Sequence, residues 1–313
     1  MIRAAAALTF ALALPAGAFE LAFPAACTLG DTCYIQQYMD HDPSAGATDF
    51  TCGPLVYDGH SGTDIAVGTR AQMQAGVSVL AASPGTVKGR RDGVADFAPY
   101  RPNQECGNGV VIDHGGGWET QYCHMRQGSV LVQVGDAVDT GTPLGMIGQS
   151  GQADFPHVHL SVRRNGVDID PFAPDTTDRC TETTTPGLWA TPIPYTPGGI
   201  IDIGMSTGIP DFDAIRLGLP SPSLPSIAPA LVVWVYMFGG RSGDALLLDI
   251  TGPEGTVITE RIALEKTQAQ LFRAVGKKLK SAAWPLGSYM GRAKLMRAGV
   301  EISTQTIVIE VKN

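Results

Sequence analysis

Residues 107–115 read GNGVVIDHG, residues 120–125 TQYCHM and residues 157–166 HVHLSVRRNG. Each is a short segment of apolar or alternating character bounded by glycine or another turn residue, which predicts strands. Working outward, VSVLAAS (77–83), GTVKGR (85–90), VLVQVG (130–135) and PLGMIG (143–148) repeat the pattern. The stretch from Val77 to Gly166 therefore predicts one domain of antiparallel strands. Residues two apart in a strand share a face, so His157 and His159 would present two imidazoles toward one pocket.

Five of the six histidines fall between residues 60 and 159. His60 and Asp64 stand four apart across Ser61, Gly62 and Thr63, a turn-forming stretch able to aim a nitrogen and an oxygen at one ion. An ordinary polar turn is the competing reading, as a hydrogen-bonded surface pair is for the two histidines of HVH. Imidazole and carboxylate are donors that zinc accepts, and three protein ligands would leave a fourth position for water. Tyr122 and His124 share a face if TQYCHM is a strand, placing His124 near such an ion without binding it; a core histidine satisfied by a carbonyl is the alternative. His114, at a turn, is expected to be hydrogen-bonded to backbone, and His41 to be solvated.

The chain has 313 residues, 44% apolar and 17% charged, with 38 Gly and 22 Pro, enough for two turn-rich β domains. The opening MIRAAAALTFALALPAGAFE sets Arg3 before an apolar run from Ala4 to Leu14, then Ala16 and Ala18. This predicts a signal peptide over residues 1–18, since the run is short of the ~20 residues a spanning helix needs. No cysteine follows closely enough for lipid attachment, so an exported, periplasmic or secreted protein is expected. Six cysteines, with no C-x-x-C pair, predict disulfides rather than a thiolate metal site. Cys106 with Cys123, flanking a predicted hairpin, is the preferred pair; Cys33 with Cys52 and Cys27 with Cys180 are the remaining expectations. A formal charge of −8, with no basic stripe, leaves no electrostatic footprint for nucleic acid.

Residues 19–55 hold three cysteines and DHDPSAGATDF (40–50), and read as a disulfide-stapled, loop-rich arm. A Thr/Pro/Gly-rich linker is expected over 176–199. Beyond it, IIDIGM (200–205), ALVVWVYMF (230–238), DALLLDITGPEG (244–255), VITERIAL (257–264), SYMGRAKLMR (288–297) and TQTIVIEV (304–311) predict a β-sandwich over 200–313. Within it TQAQLFRAVGKKL (267–279) could form a short helix. The second domain carries no His or Cys and predicts no site of its own.

Taken together, G-H-x-G-x-D at 59–64, AASPGTVKG at 81–89, GNGVVIDHG at 107–115, YCHM at 122–125, VGDAVDTGTPLGMIGQSG at 134–151 and PHVHL at 156–160 resemble the M23 metallopeptidases, the lysostaphin and LytM-like cell-wall endopeptidases. The resemblance implies that 56–175 form an antiparallel β-sheet zinc metallopeptidase domain of that type; the strand pattern beyond the linker adds the expectation of a small, Ig-like β-sandwich. It implies Zn2+ held by His60, Asp64 and His159, with His124 and His157 as catalytic groups beside it. It also implies peptidoglycan stem or cross-link peptides as substrate. Ser150-Gly151 stands where members often carry Thr-Gly, and Leu160 where Phe often follows the pair. The segment DGVADFAPYRPNQ (92–104) is expected to elaborate a groove wall. Some members of the resembling family lack the ligands and regulate wall amidases instead; here all five positions are filled. A structural role is the first reading of the arm; a latent enzyme, with Gln36, Asp40 or His41 on the open coordination position, is the alternative.

Overall fold

A computed structural model describes residues 19–99, 101–176, 178–180, 187–219 and 223–313. The expected signal peptide, residues 1–18, lies outside the described residues, as does part of the expected linker. The first half contains β1 (Tyr34–Gln37), β2 (Thr63–Ala66), α1 (Arg70–Ala75), β3 (Ser78–Leu80), β4 (Gly85–Arg91), β5 (Asn108–Gly115), β6 (Trp118–Met125), β7 (Ala137–Val138), β8 (Pro143–Met146), β9 (His157–Arg164) and β10 (Val167–Asp168). Strands β1-β2-β9-β6-β5-β4-β7 lie side by side in that order, antiparallel, with β10 on β9, while β3 and β8 form a separate ribbon. The central strands obey the alternation read from the sequence. Val158, Leu160 and Val162 of β9 enter the core with Ile65, Val110, Ile112 and Tyr122, so His157, His159 and Ser161 take the other face. Residues 34–37, read as part of a loop-rich arm, are the edge strand β1, and Leu21, Ile35 and Tyr38 lie in the same core.

The second half contains β11 (Gly199–Ser206), α2 (Phe212–Leu217), β12 (Leu224–Pro225), β13 (Ala230–Gly240), β14 (Ala245–Gly252), β15 (Gly255–Ala263), β16 (Gln268–Lys278), β17 (Gly287–Arg297) and β18 (Val300–Lys312). These form two sheets, β11-β13-β16 and β12-β18-β17-β14-β15. Val233, Val235 and Met237 of one sheet share a core with Leu246, Leu248, Leu295 and Ile309 of the other. The opposite face of β13 is covered too: Trp234 and Tyr236 pack under Ile215 of α2, and Phe238 joins the first core. A strand buried on both faces cannot alternate, which is why ALVVWVYMF is an unbroken apolar run. The helix expected over 267–279 is instead β16, hydrogen-bonded along β13 from Ala230↔Lys278 to Gly240↔Gln268. Leu271 and Val275 face the shared core from it, and pairing with a long central strand overrides a modest local helix preference.

The cysteines pair as Cys27–Cys33, Cys52–Cys180 and Cys106–Cys123. Only the last was expected. A turn in which Thr32 N and Asp31 N donate to Thr28 O folds Cys33 back on Cys27, leaving Cys52 for Cys180. The Cys52–Cys180 bridge closes 128 residues and Cys27–Cys33 only six. Chain-entropy scaling assigns the long loop about 5 kcal/mol and the short one about 2 kcal/mol. The Cys52→Ser/Cys180→Ser variant should therefore unfold at a clearly lower urea midpoint than Cys27→Ser/Cys33→Ser; equal midpoints would count against the loop argument.

Candidate metal centre

The register between β2 and β9 sets Asp64 directly opposite His159. His60 reaches the same point from the turn before β2. That turn depends on Gly62, where a Cβ would fall 2.5 Å from Leu160 O and 2.6 Å from His159 Nε2. The result is a triangle of donor atoms: Asp64 Oδ1 lies 2.8 Å from His159 Nδ1 and 3.2 Å from His60 Nε2, and the two nitrogens are 3.1 Å apart. Donors each about 2.0–2.1 Å from a tetrahedral ion sit about 3.3 Å from one another, close to these separations.

Hydrogen bonds behind the triangle decide which ring nitrogens face it. His60 Nδ1–H donates to Tyr38 O at 2.6 Å, so its Nε2 carries a lone pair. His159 Nε2 contacts Ser161 Oγ at 2.9 Å; with Nε2–H donating there, Nδ1 is the free lone pair. Burial opposes charge on Asp64, but His60 and His157 beside it hold its carboxyl well below the usual carboxylate range. Two lone-pair nitrogens and an anionic oxygen thus converge without a proton between them, an arrangement that a bound cation stabilises. The donor set fits a divalent metal of the borderline class. His60 and Asp64 are buried, while the His159 side chain is 14% exposed, which leaves the triangle accessible from its side.

His157 lies on the same face of β9, its Nδ1–H donating to Phe155 O at 2.8 Å and its Nε2 3.5 Å from Asp64 Oδ1. His124 arrives by a different route from the one expected. Simple alternation would send it with Tyr122, whose hydroxyl accepts from Ala82 N deep in the core. Instead β6 bulges against β5: the pairing jumps from Val110↔Tyr122 to Asn108↔Met125, and His124 adopts φ 62°. The extra residue turns the imidazole to the opposite face. There its ring centre is 4.6 Å from that of His157 and 6.0 Å from that of His159. Gly109 makes the bulge possible, since a Cβ there would meet Tyr122 O at 2.4 Å and Cys106 Sγ at 2.9 Å. His124 Nδ1–H donates to Ser150 O at 2.8 Å, leaving Nε2 free. Burial, then the neighbouring His157 and His159, hold His124 well below the ordinary imidazole range. Burial also lowers His157, against the pull of Asp64.

Residues 58–171 match the family model Peptidase family M23. The chain carries an M23 metallopeptidase domain. The DD-carboxypeptidase/endopeptidase Mpg of Neisseria meningitidis is 31% identical to it over 102 residues, 33% of this chain and 23% of Mpg. The murein hydrolase activator EnvC of Escherichia coli is 36% identical over 94 residues, 30% of this chain and 22% of EnvC. In both cases the chain spans under a quarter of the curated relative's length. Among solved structures, a mutant catalytic domain of the prophage-encoded M23 protein EnpA from Enterococcus faecalis is 24% identical, with 51% of this chain and 98% of that one covered and a TM-score of 0.34.

The other polar residues singled out in the sequence sit away from the donor triangle of the M23 domain. His114 takes the backbone role expected of it, with Nδ1–H donating to Pro84 O at 2.7 Å. His41 is not solvated: it is buried, with Nε2 2.8 Å from Asp170 Oδ2 and Nδ1 3.1 Å from Arg179 O. Burial alone would lower it, but the hydrogen bond to Asp170 and its charge raise it above the usual imidazole range. Asp40 accepts from the backbone of Asp42, Thr48 and Gly59, and Gln36 binds Ala269 O and Gln270. None of Gln36, Asp40 and His41 occupies a coordination position beside the triangle. The arm contributes through backbone, by way of Tyr38 O. Among the supporting groups, Ser161 alone had a readable signal, two residues beyond His159 on the same strand face; the carbonyls of Tyr38, Ser150 and Phe155 had none.

Proposed function

We propose that the chain is an exported zinc metalloendopeptidase that hydrolyses peptide cross-links of bacterial peptidoglycan. The observation that carries this reading is the donor triangle of His60, Asp64 and His159, flanked by two further imidazoles whose Nε2 atoms are free of protein donors behind them. Zinc bound there would lower the pKa of a water from 15.7 to about 7 and polarise a scissile carbonyl. The chain's own work is to hold protons and orientation. Tyr38 O and Ser161 Oγ fix the ligand tautomers, and the Asp64 carboxylate supplies the negative charge.

His124 and His157 are kept neutral by burial, so an Nε2 can take a proton from the attacking water and return it to the leaving amine. The other imidazole would stabilise charge developing on the carbonyl oxygen in its cationic form, with Nε2 protonated from solvent. A second reading, a non-catalytic regulator of wall amidases, is motivated by the similarity to EnvC, whose name is that of an activator. Regulators of that kind would have no use for a filled donor set.

The division into an arm at 19–55, a peptidase domain at 56–175, a linker and a β domain at 200–313 belongs to the same proposal. So do the Ig-like character of the last domain and a mature chain beginning at Phe19 in the periplasm or outside the cell. The test is the mature chain made under oxidising conditions, its metal measured by elemental analysis and its release of soluble peptides from purified peptidoglycan assayed with and without chelator. We expect about one zinc per chain and release that chelator abolishes. Zinc without release would reject the substrate; no zinc would favour the regulator.

A further inference from the structure

The C-terminal half touches the M23 domain beside two of the three carbonyls that orient imidazoles, those of Tyr38 and Phe155, and this extends the peptidase reading, on which it rests, to residues outside 58–171. At one segment, Gln36 Nε2 on β1 donates to Ala269 O at 3.0 Å and Gln270 Nε2 donates to Gln36 Oε1 at 3.0 Å. Strand β1 runs directly into Tyr38, the acceptor for His60. The other segment is reached by α2. Ile215 of this helix is buried against Trp234 and Tyr236, and Phe212 stacks on Phe272 at 5.1 Å, which anchors α2 to the outer face of β13. Its cap residue Gly218 lies against Thr69 and Ala71 at the start of α1, without room for a Cβ.

From this anchored helix Arg216 Nη2 donates to the carbonyl of Asp154. The next residue, Phe155, is the acceptor for His157 Nδ1–H, and its ring lies 4.4 Å from the His157 ring. Phe155 is followed by Pro156, which confines Phe155 to extended backbone. One restraint therefore acts on the peptide before Phe155 and another on the peptide after it. Earlier in the same loop, Gln152 N donates to Glu105 O and Ala153 O accepts from Gln149 Nε2, both groups of the M23 domain. The hold on Asp154 comes from outside that domain.

We infer that Arg216 is a positioning residue: through Asp154 and Phe155 it fixes the ring of His157, and the C-terminal sheets brace the reacting centre.

The test uses the full mature chain as wild type, Arg216→Gln and Arg216→Lys, with histidine ring nitrogens labelled for NMR. In Arg216→Gln we expect kcat for peptide release to fall about tenfold to a hundredfold, as loss of placement near an ångström does, with KM changed by less than about twofold. Metal content and the unfolding midpoint should stay at wild-type values. The His157 Nδ1–H should exchange about tenfold faster while that of His60 does not change. Arg216→Lys, which keeps a cationic donor, should recover most of both losses. Wild-type kcat with an unaltered His157 signal in Arg216→Gln would overturn the inference, as would a loss confined to KM or shared by His60. If the wild type releases no peptide, the peptidase reading fails, and the His157 signal still decides the role of Arg216.

Discussion

Replacing Asp64 with alanine should strip the chain of bound metal and lower peptide release from peptidoglycan by at least about a thousandfold. Asp64 Oδ1 faces three imidazoles at once, at 2.8 Å from His159, 3.2 Å from His60 and 3.5 Å from His157. It is also the one anionic member of the triangle. Without it two imidazoles remain, too few to retain an ion through gel filtration in competition with solvent. The fold should survive, because the neighbours that hold β2, Ile65 and Ala66 in the core and the register with β9, are untouched. Asp64→Glu separates charge from placement. It keeps the carboxylate but lengthens the side chain by one methylene, so partial metal retention with poor activity is expected. Elemental analysis after gel filtration, read beside the unfolding midpoint and the peptidoglycan assay, checks all three. Metal held at wild-type stoichiometry by Asp64→Ala would remove Asp64 from the ligand set.

The parts of this centre that follow from strand alternation were legible in the sequence, and those that depend on departures from it were not. His157 and His159 on one face of β9 follow from a period of two, with Val158, Leu160 and Val162 as the buried counterpart. The approach of His60 and Asp64 followed from the spacing across Gly62. His124 did not follow, because a bulge is a register event between two strands, and its trace in one strand's sequence is only a glycine, Gly109, on the other. The orienting carbonyls of Tyr38, Phe155 and Ser150 are backbone groups, so side-chain identity at those positions says nothing about them. His41 was misjudged because its partner, Asp170, is 129 residues away. A separation of 128 residues likewise hid Cys180 from Cys52.

The bulge leads to the second large effect. His124→Asn should keep metal at the wild-type level and reduce kcat for peptide release by about 10²–10⁴-fold, the range for loss of a positioned proton-transfer group. Asparagine is the informative substitution because His124 sits at φ 62°, a conformation that asparagine tolerates and that would burden alanine with backbone strain. The side chain also has no bond to the triangle: its Nδ1–H goes to Ser150 O, and its ring stands 4.6 Å from His157. Loss of metal is therefore not expected. Gly109→Ala approaches the same imidazole from the partner strand. The added Cβ would collide with Tyr122 O and Cys106 Sγ, so the bulge must relax and His124 must turn toward the side that Tyr122 occupies. If the bulge acts by aiming His124, Gly109→Ala should lose activity with metal retained, and combining it with His124→Asn should lose little more than His124→Asn alone. Additive losses in the double variant would mean that Gly109 serves some other purpose, and full activity in His124→Asn would leave His157 as the sole imidazole moving protons at this site.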